Sequence, residues 1–218
     1  MISKKALVFL SLLSLFFLSL QAEAKVDIIQ LPKPKATATI PLNEAIQKRR
    51  SVRNFTTKSL DLNQISLLLW AAQGITDKRG LRAAPSAGAL YPLEVYVVKA
   101  DGIWHYLVQQ HAAEQIVAGD MRHSLAEAAL SQPSVISAPM DIVFVADYRR
   151  TAVKYGERGK RYVHMEVGHA AQNVLLEAQL LGLGAVTIGA FDDNAVNKLL
   201  KLPSEQTALY IISVGYKK

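Results

Sequence analysis

The sequence predicts an α+β domain, a mixed and mainly antiparallel sheet wrapped by helices, from three observations. Apolar runs of strand length at 141–146, 185–189 and 208–214 alternate with helical stretches only in the second half. That is not the unbroken βαβ alternation of a doubly wound parallel sheet. Asp101-Gly102 stands between two short β-type runs, 95–98 and 103–107, which is a strong hairpin signal. Asp61-Leu62-Asn63-Gln64 has the capping-box spacing, and Ile65, Leu68, Leu69 and Ala72 follow at i, i+3, i+4 and i+7.

The order along the chain starts with an export signal. Lys4 and Lys5 precede an apolar run at 6–20, and Ala22-Glu23-Ala24 offers small residues at the two positions a signal peptidase reads. The run is shorter than the roughly 20 residues a spanning helix needs. Residues 1–24 are therefore expected to be a cleaved signal peptide, with no permanent membrane anchor and a periplasmic or secreted mature chain. Residues 25–41 carry Pro32 and Pro34 and are expected to form an extended arm or linker. A single domain is expected over 42–218.

Within that domain a short helix is expected at 42–49, from Leu42, Ala45 and Ile46, then the capped helix ending at Gly74. The stretch 74–92 has no period and holds Gly80, Pro85, Gly88 and Pro92, so it reads as a long shaped loop, a kind that is often functional. Helical material is expected over about 112–130, 162–181 and 193–200. No internal repeat is present.

The chain has no cysteine, which excludes disulfides, thiolate catalysis and thiolate metal sites. Its net charge is +7 and stays basic once the signal residues Lys4, Lys5 and Glu23 are removed. The densest basic cluster is Lys48, Arg49, Arg50 and Arg53, with no long basic run, so a local anion site is expected and nucleic acid is not.

Three stretches can carry chemistry. Arg49, Arg50, Ser51 and Arg53 bring three guanidinium forks and a hydroxyl together, suited to phosphate oxygens. Favourable pairing with a helix C-terminus would account for one or two of those arginines. The loop Pro85-Ser86-Ala87-Gly88-Ala89-Leu90-Tyr91-Pro92 has small residues that let backbone amides approach a flat ligand. Ser86 lacks the preceding glycine of a nucleophile elbow, since position 84 is alanine. His164, Glu166 and His169 do not make a metal motif. The histidines are five apart, about 140° around a helix, and the Glu-x-x-His spacing of di-iron bundles occurs only once. No metal is expected. His169 is expected to be packed and hydrogen-bonded beside Gly168 and Ala170, small residues that would let another helix approach.

These stretches, with Tyr155-Gly156-Glu157-Arg158-Gly159, Glu166-Val167-Gly168-His169, Gln172-Asn173, Leu181-Gly182-Leu183-Gly184 and Gly189-Ala190-Phe191, occur in an order that resembles the nitroreductase family, most closely its SagB-type dehydrogenase branch. The similarity runs over about 31–216. It implies the nitroreductase fold, FMN, and a homodimer with flavin at the subunit interface. By the resemblance, Arg49, Arg50, Ser51 and Arg53 would hold the phosphate and ribityl chain. Pro85, Ser86, Ala87 and Gly88 would line the ring, and Gly184 and Ala185 would lie near its other face or edge. Lys217 and Lys218 would reach the phosphate. Azoline-oxidising members of the branch use a Lys-Tyr pair as acid and base, which puts Lys154 and Tyr155 forward as catalytic; the alternative is two residues of a solvated loop. The implied function is flavin-mediated hydride or electron transfer to or from a small molecule, with NAD(P)H as one candidate donor. The competing reading is a non-catalytic binding protein that keeps the fold.

Overall fold

A computed structural model describes residues 27–35 and 40–218. The expected signal peptide, 1–24, lies outside the described residues. Seven strands form one sheet in the order β1-β4-β3-β2-β5-β7-β6. They are β1 Ile28–Gln30, β2 Leu93–Lys99, β3 Gly102–Leu107, β4 Ala112–Ala118, β5 Met140–Asp147, β6 Gly184–Ile188 and β7 Gln206–Gly215. Every pairing between named strands is antiparallel. A parallel contact enters as the Ser51–Ala185 bridge. The helices are α1 Leu42–Lys48, α2 Leu62–Gln73, α3 Arg122–Ala128, α4 Pro133–Ser137, α5 Tyr148–Tyr155, α6 Arg158–Leu180 and α7 Asp193–Leu199.

The expected α+β fold is what forms, and β5 shows why. All eight of its residues are buried. Side chains alternate between sheet faces. Ile142, Phe144 and Ala146 therefore join the core under α2 and α6, with Leu68, Val167 and Val174. Val143 and Val145 join a second core with Leu125, Val135 and Val196 of α3, α4 and α7. A strand covered on both faces needs a near-continuous apolar run. Asp141 interrupts that run. It is completely buried, accepts a hydrogen bond from Ser213 Oγ at 2.5 Å, and burial pushes its carboxyl well above the usual range.

The capping box of α2 is present in both directions, Asp61 accepting from Gln64 N–H and Gln64 from Asp61 N–H. The Asp101-Gly102 hairpin joins β2 to β3.

Two expectations need correction. Helix was expected from 112, but Ala112–Ala118 is a strand and helix starts only at Arg122. His111, at φ 46°, turns the chain back from β3, and the β3 edge then outweighs the helical preference of the alanines. Within the segment read as an arm, Ile28–Gln30 pairs with β4 and becomes the edge strand. The loop alternative for Lys154 and Tyr155 also fails, because both sit in the last turn of α5.

Candidate active site

The 49–53 segment leaves α1 and is caught between two distant parts of the chain. Val52 N–H donates to Ala185 O at 3.0 Å, Thr56 N–H to Tyr216 O at 2.9 Å, and Lys218 N–H to Asn54 O at 3.2 Å. A Cβ on Gly184 would stand 2.7 Å from Val52 Cγ1 and 3.1 Å from Lys217 Cγ, so only glycine permits this approach. Arg49, Arg50, Ser51, Arg53, Gly184, Ala185, Lys217 and Lys218 thus form one corner, with Gly184 and Ala185 as its packed floor. Arg50 donates to the carbonyls of Gln47 and Arg49, at 2.9 and 2.7 Å. Arg49, Arg53, Lys217 and Lys218 make no ion pair among the described residues and are available to an anion.

The second part is the 85–92 loop, closed by a short 3-10 turn at Ala87–Ala89. Gly88, Ala89 and Tyr91 all have positive φ, at 63°, 54° and 46°. Ser86 Oγ accepts from Tyr91 N–H at 2.9 Å, Tyr91 Oη accepts from Arg82 N–H at 3.1 Å, and Arg150 donates to Tyr91 O at 3.2 Å. The Arg82 guanidinium also lies 4.5 Å from the Tyr91 ring centre. Asn173 of α6 donates to Ala71 O and Ala83 O, at 3.2 and 3.3 Å, fixing the base of the loop. A Cβ on Gly88 would stand 3.0 Å from Tyr155 Oη and 3.3 Å from Lys154 Nζ. The candidate acid–base pair therefore lies directly on the candidate ring-binding loop. α6 touches both α1 and the 3-10 turn, so one helix carries both parts of the site.

Several supporting residues escaped the sequence reading. Glu166 was weighed as a metal ligand and otherwise stood only within a family-like stretch, yet it is 2% exposed and lies near Ser86, Gln73 and Arg82. Burial pushes it up to about 7, against the pull of Ser86, Arg82 and Gln73. Burial also lowers Arg82 below the ordinary arginine value. Glu94 pairs with Arg150 at 2.5 Å and His105 at 2.8 Å. Burial raises its carboxyl, but those two partners outweigh it and leave it below the usual value. The signal for this scaffold was the arginine and tyrosine flanking the loop, Arg82 and Tyr91. His169 is a correction: it is exposed and not packed within the chain. A Cβ on neighbouring Gly168 would meet nothing within 4 Å. Among the described residues no cluster of three metal-ligating side chains exists.

Comparison with known proteins agrees with this fold. The chain is 45% identical over 195 residues to a protein of Methanocaldococcus jannaschii named as a candidate nitroreductase, covering 87% of this chain and 96% of that one. It is 27% identical over 181 residues to the NADPH-flavin oxidoreductase of Vibrio harveyi, covering 79% and 64%. Its fold matches a crystal structure of a candidate nitroreductase from Ralstonia eutropha with a TM-score of 0.78 and 29% identity, over 88% of this chain and 90% of that one. The nitroreductase family profile matches residues 46–216, which takes in the 49–53 segment, the 85–92 loop, α6 and Gly184–Ala185, but not Lys217 and Lys218. On sequence and on fold alike, this chain belongs to the nitroreductase family.

Proposed function

We propose that the protein is an exported FMN-dependent oxidoreductase that passes hydride or electrons between a donor and a small-molecule substrate. The observation that carries this reading is the juxtaposition at the two parts of the site. A corner of cations without ion pairs among the described residues is built on α1 and β6, both of which touch α6, and a glycine turn under Lys154 and Tyr155 lies against the same helix.

The residues fit the group. Arg49, Arg50 and Arg53, with Lys217 and Lys218, would hold a phosphate through charge-assisted hydrogen bonds, and Ser51 adds a hydroxyl. Pro85, Ser86, Ala87 and Gly88 would line a flat ring, and the missing side chain of Gly88 lets Tyr155 and Lys154 come close to that loop. When bound, FMN supplies the redox chemistry, and the protein orients it and sets its surroundings. Tyr155 Oη and Lys154 Nζ, both at the Gly88 turn, would move the proton that accompanies hydride transfer. The name of the Vibrio relative makes NADPH one donor to try. Export is supported by the pattern of residues 1–24, and among the described residues no helix is long and apolar enough to cross a membrane.

A homodimer is part of this reading. Leu42 and Ile46 on α1 are 63% and 56% exposed, and on α6 Met165 is 52% exposed one turn from the open Gly168. Light scattering should report twice the chain mass. Purified protein given FMN should retain it through gel filtration with visible absorbance, and a screen of NADH, NADPH and organic reductants should bleach it. Folded protein that takes up no flavin would overturn the reading. Flavin that is bound but reduced by no donor would favour the non-catalytic binder.

A further inference from the structure

Lys154 and Tyr155 ride on a helix that is thinly packed. Thr151 is the buried residue of α5, its hydroxyl finds no partner among the described residues, and the apolar Val153 is exposed. Apolar burial therefore does little to seat this helix. Polar links from its first turn place it, and they go to different neighbours. Tyr148 Oη lies 2.7 Å from His164 Nε2 of α6. Arg149 pairs with Asp147, the cap of the same helix, at 2.9 Å, and with Glu205, just ahead of β7, at 3.0 Å. Arg150 faces the loop. Its Nη1 donates to Tyr91 O at 3.2 Å, and its Nη2 pairs with Glu94 Oε1 of β2 at 2.5 Å. At the far end of the helix, Tyr155 meets Tyr162 of α6 edge to face, with ring centres 5.1 Å apart.

Both partners of Arg150 are themselves held. Glu94 Oε2 lies 2.8 Å from His105 Nε2 of β3. Tyr91, at φ 46°, is tied to Ser86 through its N–H and to Arg82 through its hydroxyl. One planar fork thus joins α5 to two fixed points, a carbonyl of the loop and a carboxylate of the sheet. Two points fix direction as well as distance, which the point charge of a lysine does not. Lys154 stands one turn further along α5, only about 40° around from Arg150. A Cβ on Gly88 would meet Lys154 Nζ at 3.3 Å and Tyr155 Oη at 3.0 Å. We infer that Arg150 is a positioning residue: its fork holds α5 onto the 85–92 loop and so sets where Lys154 and Tyr155 stand at Gly88. The inference rests on the reading of those two residues as the pair that moves the proton. Arg150 moves none, since a guanidinium stays charged. A displacement of about 1 Å at reacting groups can cost on the order of 10²-fold in rate, so a tether one turn away is enough to matter.

Hydrogen exchange of the full chain reads this placement without flavin, because so short a helix is marginal once undocked. In Arg150→Met the amides of residues 152–156 should open about tenfold more often or beyond, the value of a lost hydrogen bond to a charged group. Those of residues 163–174 in α6 should stay as protected as before. Turnover of FMN-loaded protein with NADPH should fall by about 10- to 100-fold. FMN affinity should hold, because Ser86, Arg82 and Asn173 still tie the loop. Arg150→Lys should recover little, since it keeps the charge and loses the fork. Adding Glu94→Gln to Arg150→Met removes the carboxylate left without its guanidinium and should recover nothing. In a chain carrying Lys154→Ala and Tyr155→Phe, Arg150→Met should cost no further turnover, the mark of a residue that acts through that pair. Unchanged exchange in α5 overturns the inference, and so does an opened α5 with wild-type turnover. Recovery by Arg150→Lys or by Glu94→Gln overturns it too, making charge and not the fork the cause. Loss of FMN in step with turnover would make Arg150 a builder of the loop and also overturn it. If Arg150→Met does not fold, Arg150→Lys is read by the same exchange and turnover. Wild type that NADPH does not reduce removes that donor from the proposed reaction, and exchange alone then decides whether Arg150 holds α5 to the loop.

Discussion

The arginine corner and the 85–92 loop reach their geometry in opposite ways. At the corner, main-chain hydrogen bonds hold the segment between β6 and the C-terminal tail, while Arg53, Lys217 and Lys218 project into solvent. In the loop, the side chains do the holding: Ser86 to Tyr91, Arg82 to Gln73, Arg150 to Tyr91 and Glu94, and Asn173 to the loop base. A charge in water can be deleted at little cost to the fold, because it leaves nothing unpaired. A partner deleted from a half-buried network leaves polar groups unsatisfied, at about 1–3 kcal/mol each. The corner is therefore built to recognise an ion, and the loop to keep a shape.

The largest effect that bears on this contrast should come from Tyr155 and Lys154, which touch the loop without being part of its network. Tyr155→Phe and Lys154→Ala should slow turnover on the order of 10²–10⁴-fold, the range of a lost general acid or base. Flavin occupancy should be unchanged, since neither residue is needed to build the turn at Gly88. Steady-state kinetics and the absorbance of the purified variants separate the two quantities. Full activity in both variants would leave the pair as ordinary surface residues of α5.

A smaller effect is expected at the corner. Arg49→Ala should weaken FMN by roughly 10- to 150-fold, the value of one hydrogen bond to a charged group. Riboflavin, which lacks the phosphate, should bind the variant and the wild type alike. Because the corner is solvent-exposed, raising the salt concentration should erode the FMN advantage of the wild type. Equal losses for both flavins would mean that Arg49 supports the segment and not the phosphate, contradicting the division of labour drawn above.

Much of the fold was legible because local and global signals agree there. Asp61 with Gln64, and Asp101-Gly102, are short-range patterns that the finished structure satisfies as written. The stretch at Ala112–Ala118 was misread because its local preference and its fate differ. Its alanines favour a helix, but β3 on one side and β1 on the other supply hydrogen bonds that no window of sequence displays. The candidate site divides along the same line. The arginine segment and the proline–glycine loop are compact in sequence and could be read directly. That Lys217 folds onto Gly184, or that Lys154 and Tyr155 lie over Gly88, depends on the whole sheet being assembled. Glu166 was legible as a rejected metal ligand and as part of the Glu166-Val167-Gly168-His169 stretch, but its burial was not, because burial is a tertiary property.

The smallest effect concerns the edge of the sheet, where the loop's mode of construction recurs away from the site. His111, at the turn between β3 and β4, ties the segment after β1 to the domain. Its Nε2 lies 3.0 Å from Pro32 O and 2.8 Å from Ser66 Oγ, and its Nδ1 lies 2.8 Å from Tyr106 Oη. Burial lowers the imidazole pKa, only partly opposed by the hydrogen bond to Pro32, so the docked form is the neutral one. The sign follows from proton counting. Below the unfolded value of about 6.5 the undocked histidine binds more protons than the docked one, so docking weakens as pH falls. Above that value the contribution is fully present. Hydrogen exchange at Ile29 and Leu31, whose N–H groups face β4 and the turn at His111, should therefore show, once corrected for intrinsic rates, more frequent opening at about pH 5.5 than at about pH 7.5, by roughly three- to tenfold. His111→Gln should open more readily at both values and lose the difference between them. A wild-type edge strand equally protected at both pH values would show that the Ser66–Pro32 hydrogen bond alone secures the segment. Side-chain networks would then shape the loop only, and the resemblance between loop and sheet edge would be one of appearance.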